Sequence, residues 1–204
     1  MPAANTHKDQ TLPGVAELFS TLEHFHPLSP GIKDYLSRHI VTCKVLKRKL
    51  LLREGETCQH VYFIRKGAIR GFFREGGKDI TTWITIENEI VSSISTWEQP
   101  QPVTENIQAL EDAELYMMTL VELKEMFHRF PEFNIVVRKL LQQYYADAES
   151  RAYIARLTKA ENKYRYFLKK HAPLANRIPL KYIASYLGMT LETLSRIRKK
   201  ITIC

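Results

Sequence analysis

The chain has 204 residues, 45% hydrophobic and 25% charged, with a formal net charge of +8. This is the balance of an ordinary globular protein, and no run approaches the roughly 20 apolar residues of a membrane span. The charge is uneven. Residues 151–204 hold 13 Lys/Arg against only Glu161 and Glu192, a net +11, whereas residues 1–150 hold 17 basic and 20 acidic residues. A nucleic-acid-binding module joined to a near-neutral one is the expectation. Cys43, Cys58 and Cys204 are scattered without CxxC or metal-like spacing, and no N-terminal apolar run resembles a signal peptide. A cytoplasmic location follows as an expectation, with no metal, no cofactor and no membrane partner.

Residues 1–13 are polar and contain two prolines, so a flexible N-terminus is expected. Val15 to Phe25 carries a weak helical stripe. Ser29-Pro30 reads as a helix start, with the serine as cap and the proline at the first helical position. From Val41 the period changes to alternation, the signature of half-buried strands. Short runs follow at Leu50–Leu52, Val61–Ile64, Ala68–Phe73 and Ile80–Ile86, each ended by a turn signal. Glu75-Gly76-Gly77-Lys78 is a hairpin turn between two of them. Ile107–Leu110 and Ala113–Met118 make one more hairpin. About eight short strands with regular turns predict an antiparallel jelly roll.

After Thr119 the period is helical again. Leu120–Phe127 is a short helix, and Pro131 opens a long one. In the long helix Phe133, Val137, Leu140, Tyr144 and Ala148 recur at helical spacing, and a helix of this length between two modules is expected to dimerise through that stripe. Thr158 to Lys170 is a further helix, broken at Ala172-Pro173. Leu180 to Lys200 then reads as two helices about a tight turn. Ile183, Ala184 and Leu187 form one stripe, Leu194 and Ile197 another. Gly188 supplies the positive φ of the turn, and Thr190 caps the second helix.

This order of elements resembles the cyclic-AMP receptor protein / fumarate–nitrate regulator (Crp/Fnr) family of bacterial transcription factors. Arg53-Glu54-Gly55-Glu56 followed by Val61 to Arg70 looks like the roll signature of that family, and Ile183 to Lys199 looks like its DNA reader. The resemblance covers about Ile32 to Lys200. It implies an α+β fold: an N-terminal antiparallel β-roll at 14–130, a dimerisation helix at 131–156 and a C-terminal winged helix-turn-helix at 157–204. It also implies a homodimer on an inverted-repeat operator in double-stranded DNA, with RNA polymerase as a further partner and no enzymatic activity.

In such a reader the N-terminal end of the second helix enters the major groove. Thr190, Leu191, Glu192, Ser195 and Arg196 are the expected base readers. Arg196 has the fork geometry for guanine and Glu192 can accept from a cytosine amino group. The family pattern has an Arg where this chain has Leu191, so a changed site preference is expected. Lys181, Thr193, Arg198, Lys199 and Lys200 are the expected phosphate contacts, which position the protein without reading sequence.

The roll of a cyclic-nucleotide-binding member of the family has a Gly-Glu pair and a later Arg for the phosphate. Here the pair is Asn88-Glu89, and the Arg falls near Val103-Thr104. No Lys or Arg occurs from Asp79 to Leu123, a span with eight further acids. A phosphodiester needs a cation or a nest of amides, so the roll is expected to sense an unknown effector, such as a small molecule, or a partner, other than cyclic AMP, with Trp83, Glu89 and Thr104 as candidate pocket residues. Two competing readings remain: a roll that serves protein interaction without DNA, and a cyclic-AMP-responsive regulator with an atypical pocket. A metal-binding jelly-roll enzyme is disfavoured because His60 is the only histidine between Val41 and Met126.

Overall fold

The computed structural model describes residues 15–202, and the stretch 1–13 expected to be flexible lies outside the described residues. Val15–Glu23 forms α1, which buries Leu18 and Leu22. Pro30–His39 forms α2, where the Ser29 hydroxyl accepts the Ile32 N–H and Pro30 occupies the first turn. This is the start that the Ser-Pro pair predicts.

Eight strands follow: β1 (Val41–Val45), β2 (Leu50–Leu52), β3 (His60–Lys66), β4 (Ile69–Glu75), β5 (Lys78–Thr85), β6 (Ile90–Val91), β7 (Asn106–Ala109) and β8 (Ala113–Thr119). They build two antiparallel sheets in the orders β1-β8-β3-β6 and β2-β7-β4-β5. Glu75 pairs with Lys78 across Gly76 and Gly77, both at positive φ, so the predicted hairpin turn forms where glycine permits it. Between the sheets lie Leu52, Ile64, Ile69, Val91, Ile107 and Leu115. Gly71 has a separate role. A Cβ there would lie 2.2 Å from the Trp83 ring, so the indole rests directly on the β4 backbone. The two-residue β6 is too short to leave a periodic signal in the sequence.

Helices make up the rest: α3 (Leu120–Arg129), α4 (Phe133–Arg156), α5 (Ala160–His171), α6 (Leu174–Arg177), α7 (Leu180–Tyr186) and α8 (Leu191–Thr202). A capping box starts α3, with the Thr119 hydroxyl accepting the Glu122 N–H at 3.1 Å and the Glu122 carboxylate accepting the Thr119 N–H at 2.9 Å. All described residues after β8 are helix, turn or coil, so the strands of the expected wing are not among them.

The stripe on α4 assigned to dimerisation is used within the chain. Phe133 and Leu140 are buried and Val137 packs beside them, in one cluster with Phe63, Tyr116 and Met118 of the roll and with α1 to α3. Tyr144 faces the roll as well: its hydroxyl accepts the Ile90 N–H at 2.8 Å and donates to the Ile90 carbonyl at 3.1 Å. Ala148 is half-buried on the same side. The physical reason is that the β1-β8-β3-β6 sheet has an apolar outer face that needs cover, and the first half of α4 supplies it. Apolar side chains also remain exposed outside that stripe: Tyr145 is 67% and Tyr153 54% exposed, and Ala152 is exposed too.

Candidate nucleic-acid interface and effector cavity

The reader is assembled from the turn outward. At the end of α7, the Gly188 N–H donates to the Ser185 carbonyl and the Met189 N–H to the Ala184 carbonyl, each at 3.0 Å. With Gly188 at φ +61, this is the Schellman closure. The Thr190 hydroxyl then accepts the Thr193 N–H at 3.2 Å and starts α8. Ile183, Ala184, Leu187 and Leu194 are all buried, in one cluster with Ile154, Tyr164 and Phe167. The outer face of α8 is therefore fixed by a packed inner face and a cap.

Of the predicted base readers, Leu191, Glu192 and Arg196 are exposed on α8, Thr190 is exposed at its cap, and Ser195 is half-buried. The Glu192 carboxyl is held below its usual range first by its own backbone amide, then by the Thr190 hydroxyl, as the amide dipoles of a helix start favour. The predicted phosphate contacts divide. Lys199 is exposed and forms no hydrogen bond or ion pair among the described residues. Lys181 is exposed with its ammonium 4.8 Å from the centre of the Tyr182 ring. Lys200 pairs with Glu161 at 3.2 Å. Thr193 supports the cap. Arg198 turns back into the domain, donating to the Ala175 carbonyl at 3.3 Å and to Asn176 Oδ1 at 3.0 Å, so its role here is to hold α6 against α8. A lone basic residue in sequence does not reveal which carbonyl lies under it.

The reader sits against the roll, with α7 beside β5. The Ser185 hydroxyl donates to the Asp79 carbonyl at 3.0 Å and accepts the Thr81 N–H at 2.9 Å. Arg70 is only 2% exposed; its guanidinium lies between the Phe72 and Tyr182 rings, 3.9 and 4.2 Å from their centres. Its donors reach Asp79 at 2.7 Å, Thr81 at 3.1 Å and Gln108 at 2.8 Å, so the buried charge is paired and bonded. Arg177 forms a two-pronged pair with Glu87 at 2.6 and 2.7 Å and also holds Glu111. That pair and the Gly67 amide hold the Glu87 carboxyl down at about 2, against the upward push of burial. Arg177 stands in no motif, and Arg70 stands at the end of the roll signature with nothing in the sequence to show its partners.

Between the roll, α4, α5 and α7 lies a cavity of about 160 Å³. Of the predicted pocket residues, Trp83 and Glu89 line it and Thr104 does not: Thr104 is exposed, and its neighbour Glu105 instead accepts the Trp83 indole N–H at 3.0 Å. Asn88 stands at φ +67, the conformation that suits the glycine of the family pattern and that Asn tolerates. Glu89 accepts the Thr85 hydroxyl, and burial pushes its carboxyl up. Asp147 and Arg151 enter from α4, Lys170 and His171 from α5, and Tyr186 from α7. The cations absent from the roll's own 79–123 span thus come from helices far along the chain. Among the described residues no group of three or more His, Cys, Asp or Glu could hold a metal ion, and no helix is long and apolar enough to cross a membrane.

Residues 42–130 match the family model of the cyclic nucleotide-binding domain. The transcriptional activator protein FnrA of Stutzerimonas stutzeri is 26% identical over 186 residues, 84% of this chain and 75% of that protein. The transcriptional activator protein Anr of Pseudomonas protegens is 24% identical over the same shares. In fold, the chain is similar to FixK2 of Bradyrhizobium japonicum, with a TM-score of 0.70 at 19% identity over 80% of this chain and 85% of that one. It is likewise similar to a CooA mutant of Carboxydothermus hydrogenoformans, with a TM-score of 0.67 at 17% identity over 91% and 84%.

Proposed function

The chain belongs to the Crp/Fnr family, and from that premise we propose that it is a cytoplasmic, homodimeric regulator of transcription that binds double-stranded DNA sequence-specifically through α8. The observation that carries the reading is the outer face of α8. Leu191, Glu192, Arg196 and Lys199 all face solvent on a helix that is capped and packed from behind. A preorganised face of this kind can offer Arg196 to guanine and Glu192 to cytosine, with Lys199 on a phosphate. The related activators support the same role. One such module buries too little surface for tight specific binding, so two copies are required on an inverted repeat. The apolar outer face of α4, with Tyr145 and Ala152, is the seam that fits this dimer, since the inner stripe covers the roll. RNA polymerase is the natural further partner of a DNA-bound activator.

The roll serves as the sensor of a small molecule other than cyclic AMP. A cyclic phosphodiester needs fixed cations or a nest of amides, and the roll's own 79–123 span holds no Lys or Arg. Selection of bound sequences from random DNA tests the proposal. An inverted repeat should emerge for the wild type, and Arg196→Ala should relax the preference at one position of each half-site. If the selected pool stays random, or if Arg196→Ala leaves the preference unchanged, the assignment of α8 as the reader is wrong.

A further inference from the structure

The cavity beside Glu89 has a chemistry of its own. Arg151 from α4 and Lys170 from α5 both line it, and neither forms a hydrogen bond or ion pair among the described residues. Asp147 is the opposing acid. Glu89 lines it too, and burial pushes its carboxyl up and the His171 imidazole down. Most of the remaining wall is apolar or aromatic, led by Trp83, Ile90 and Trp97, with hydroxyls from Thr85, Ser92 and Ser150. Ile90 and Trp97 also line a second cavity of about 60 Å³ behind them, and there the surroundings are leucine, valine, methionine and phenylalanine. The two spaces therefore share one wall, with cations on the near side and only apolar surface on the far side.

We propose that the larger cavity binds a monocarboxylic acid with an aliphatic body, the carboxylate held by Arg151 and Lys170 and the chain laid against Ile90 and Trp97. Size sets the length. A cavity of about 150 Å³ takes a six-carbon ring, so 160 Å³ suits a body of roughly six to eight carbons by the same measure. A guanidinium meeting a carboxylate in a partly dry site gives a charge-assisted pair that a neutral head group cannot replace. The proposal rests on the proposed function only in taking the roll as a sensor.

The test uses the full-length chain and octanoate, with octanamide as the neutral counterpart. The chain has two tryptophans, Trp83 and Trp97, and both line the cavity, so intrinsic fluorescence reports on this site directly. Octanoate should shift the emission saturably and bind at least about ten-fold more tightly than octanamide. Arg151→Met should abolish that preference while octanamide binding stays the same. Lys170→Met, at an exposed position that the fold tolerates, should weaken octanoate in the same direction. Equal affinity for acid and amide, absence of a saturable change, or displacement of octanoate by cyclic AMP would each overturn the proposal. No DNA enters the measurement. A chain that binds octanoate but not DNA refutes the regulator, and one that binds DNA but not octanoate refutes the ligand class.

Discussion

Arg177 joins the C-terminal helices to the roll, and the strength of that joint can be worked out. Its guanidinium meets Glu87 with two donors at 2.6 and 2.7 Å. The Glu87 carboxyl stands at about 2 instead of 4.5. Were that whole displacement realised as stability, it would amount to about 3 kcal/mol. Both side chains keep some solvent, 31% and 28% exposed, so screening reduces the figure. Exposed pairs contribute about 0.2–1 kcal/mol, and a two-pronged, half-buried pair is expected at about 1–2 kcal/mol. A double-mutant cycle of Arg177→Met and Glu87→Gln, read by urea unfolding at pH 7, should return a coupling of about that size. Because folding lowers the Glu87 pKa, the coupling is complete above the ordinary carboxylate range and is lost as pH falls from 4.5 toward about 2. A coupling under about 0.3 kcal/mol at pH 7, within the error of additive sites, would refute the argument. So would one that persists unchanged at pH 3.

Other expectations follow from the placement of single residues. Lys199→Ala should weaken cognate and random DNA about equally and lower the salt slope by about 1, as loss of one phosphate contact does. Arg198→Ala should leave the salt slope intact and cost about 1 kcal/mol of stability in denaturant titration, because its hydrogen bonds run to Ala175 and Asn176. Gly71→Ala should destabilise by about 1–3 kcal/mol through overlap with the Trp83 ring, seen as a lower unfolding midpoint and a changed tryptophan emission. Tyr145→Glu should shift sedimentation toward the monomer without loss of fold. Leu140→Ala should instead cost about 2–5 kcal/mol of stability, the loss expected for a buried leucine. The reverse pattern would return the seam to the inner stripe of α4.

The local elements were legible because their signals are local. Alternation from Val41 marked the strands, Ser29-Pro30 and Thr190 marked helix starts, and Gly76-Gly77 and Gly188 marked turns that need positive φ. The resemblance to the Crp/Fnr family rested on such stretches, and the fold agrees with it. The exposed face of α8 was legible for a related reason: one face of a single helix follows from spacing alone.

What failed to read through was every choice between two partners for the same side chain. The apolar stripe of α4 fits a second chain or the chain's own sheet equally well by period, and only the uncovered face around Phe63 and Tyr116 decides for the sheet. Arg198 is a surface cation by sequence and a brace between helices by position. No local pattern marks the partners of Arg70, Arg151, Lys170 and Arg177, yet they supply the buried ion network, the cations of the cavity and the joint between the C-terminal helices and the roll. The sequence by itself determined which segments are strand, helix and turn, and that the last helix carries an exposed basic face, since those depend on periodicity and on residues a few positions apart. Tertiary structure alone decided what fills the cavity wall and what α4 packs against, because burial and charge pairing join residues tens of positions apart and leave no periodic trace along the chain.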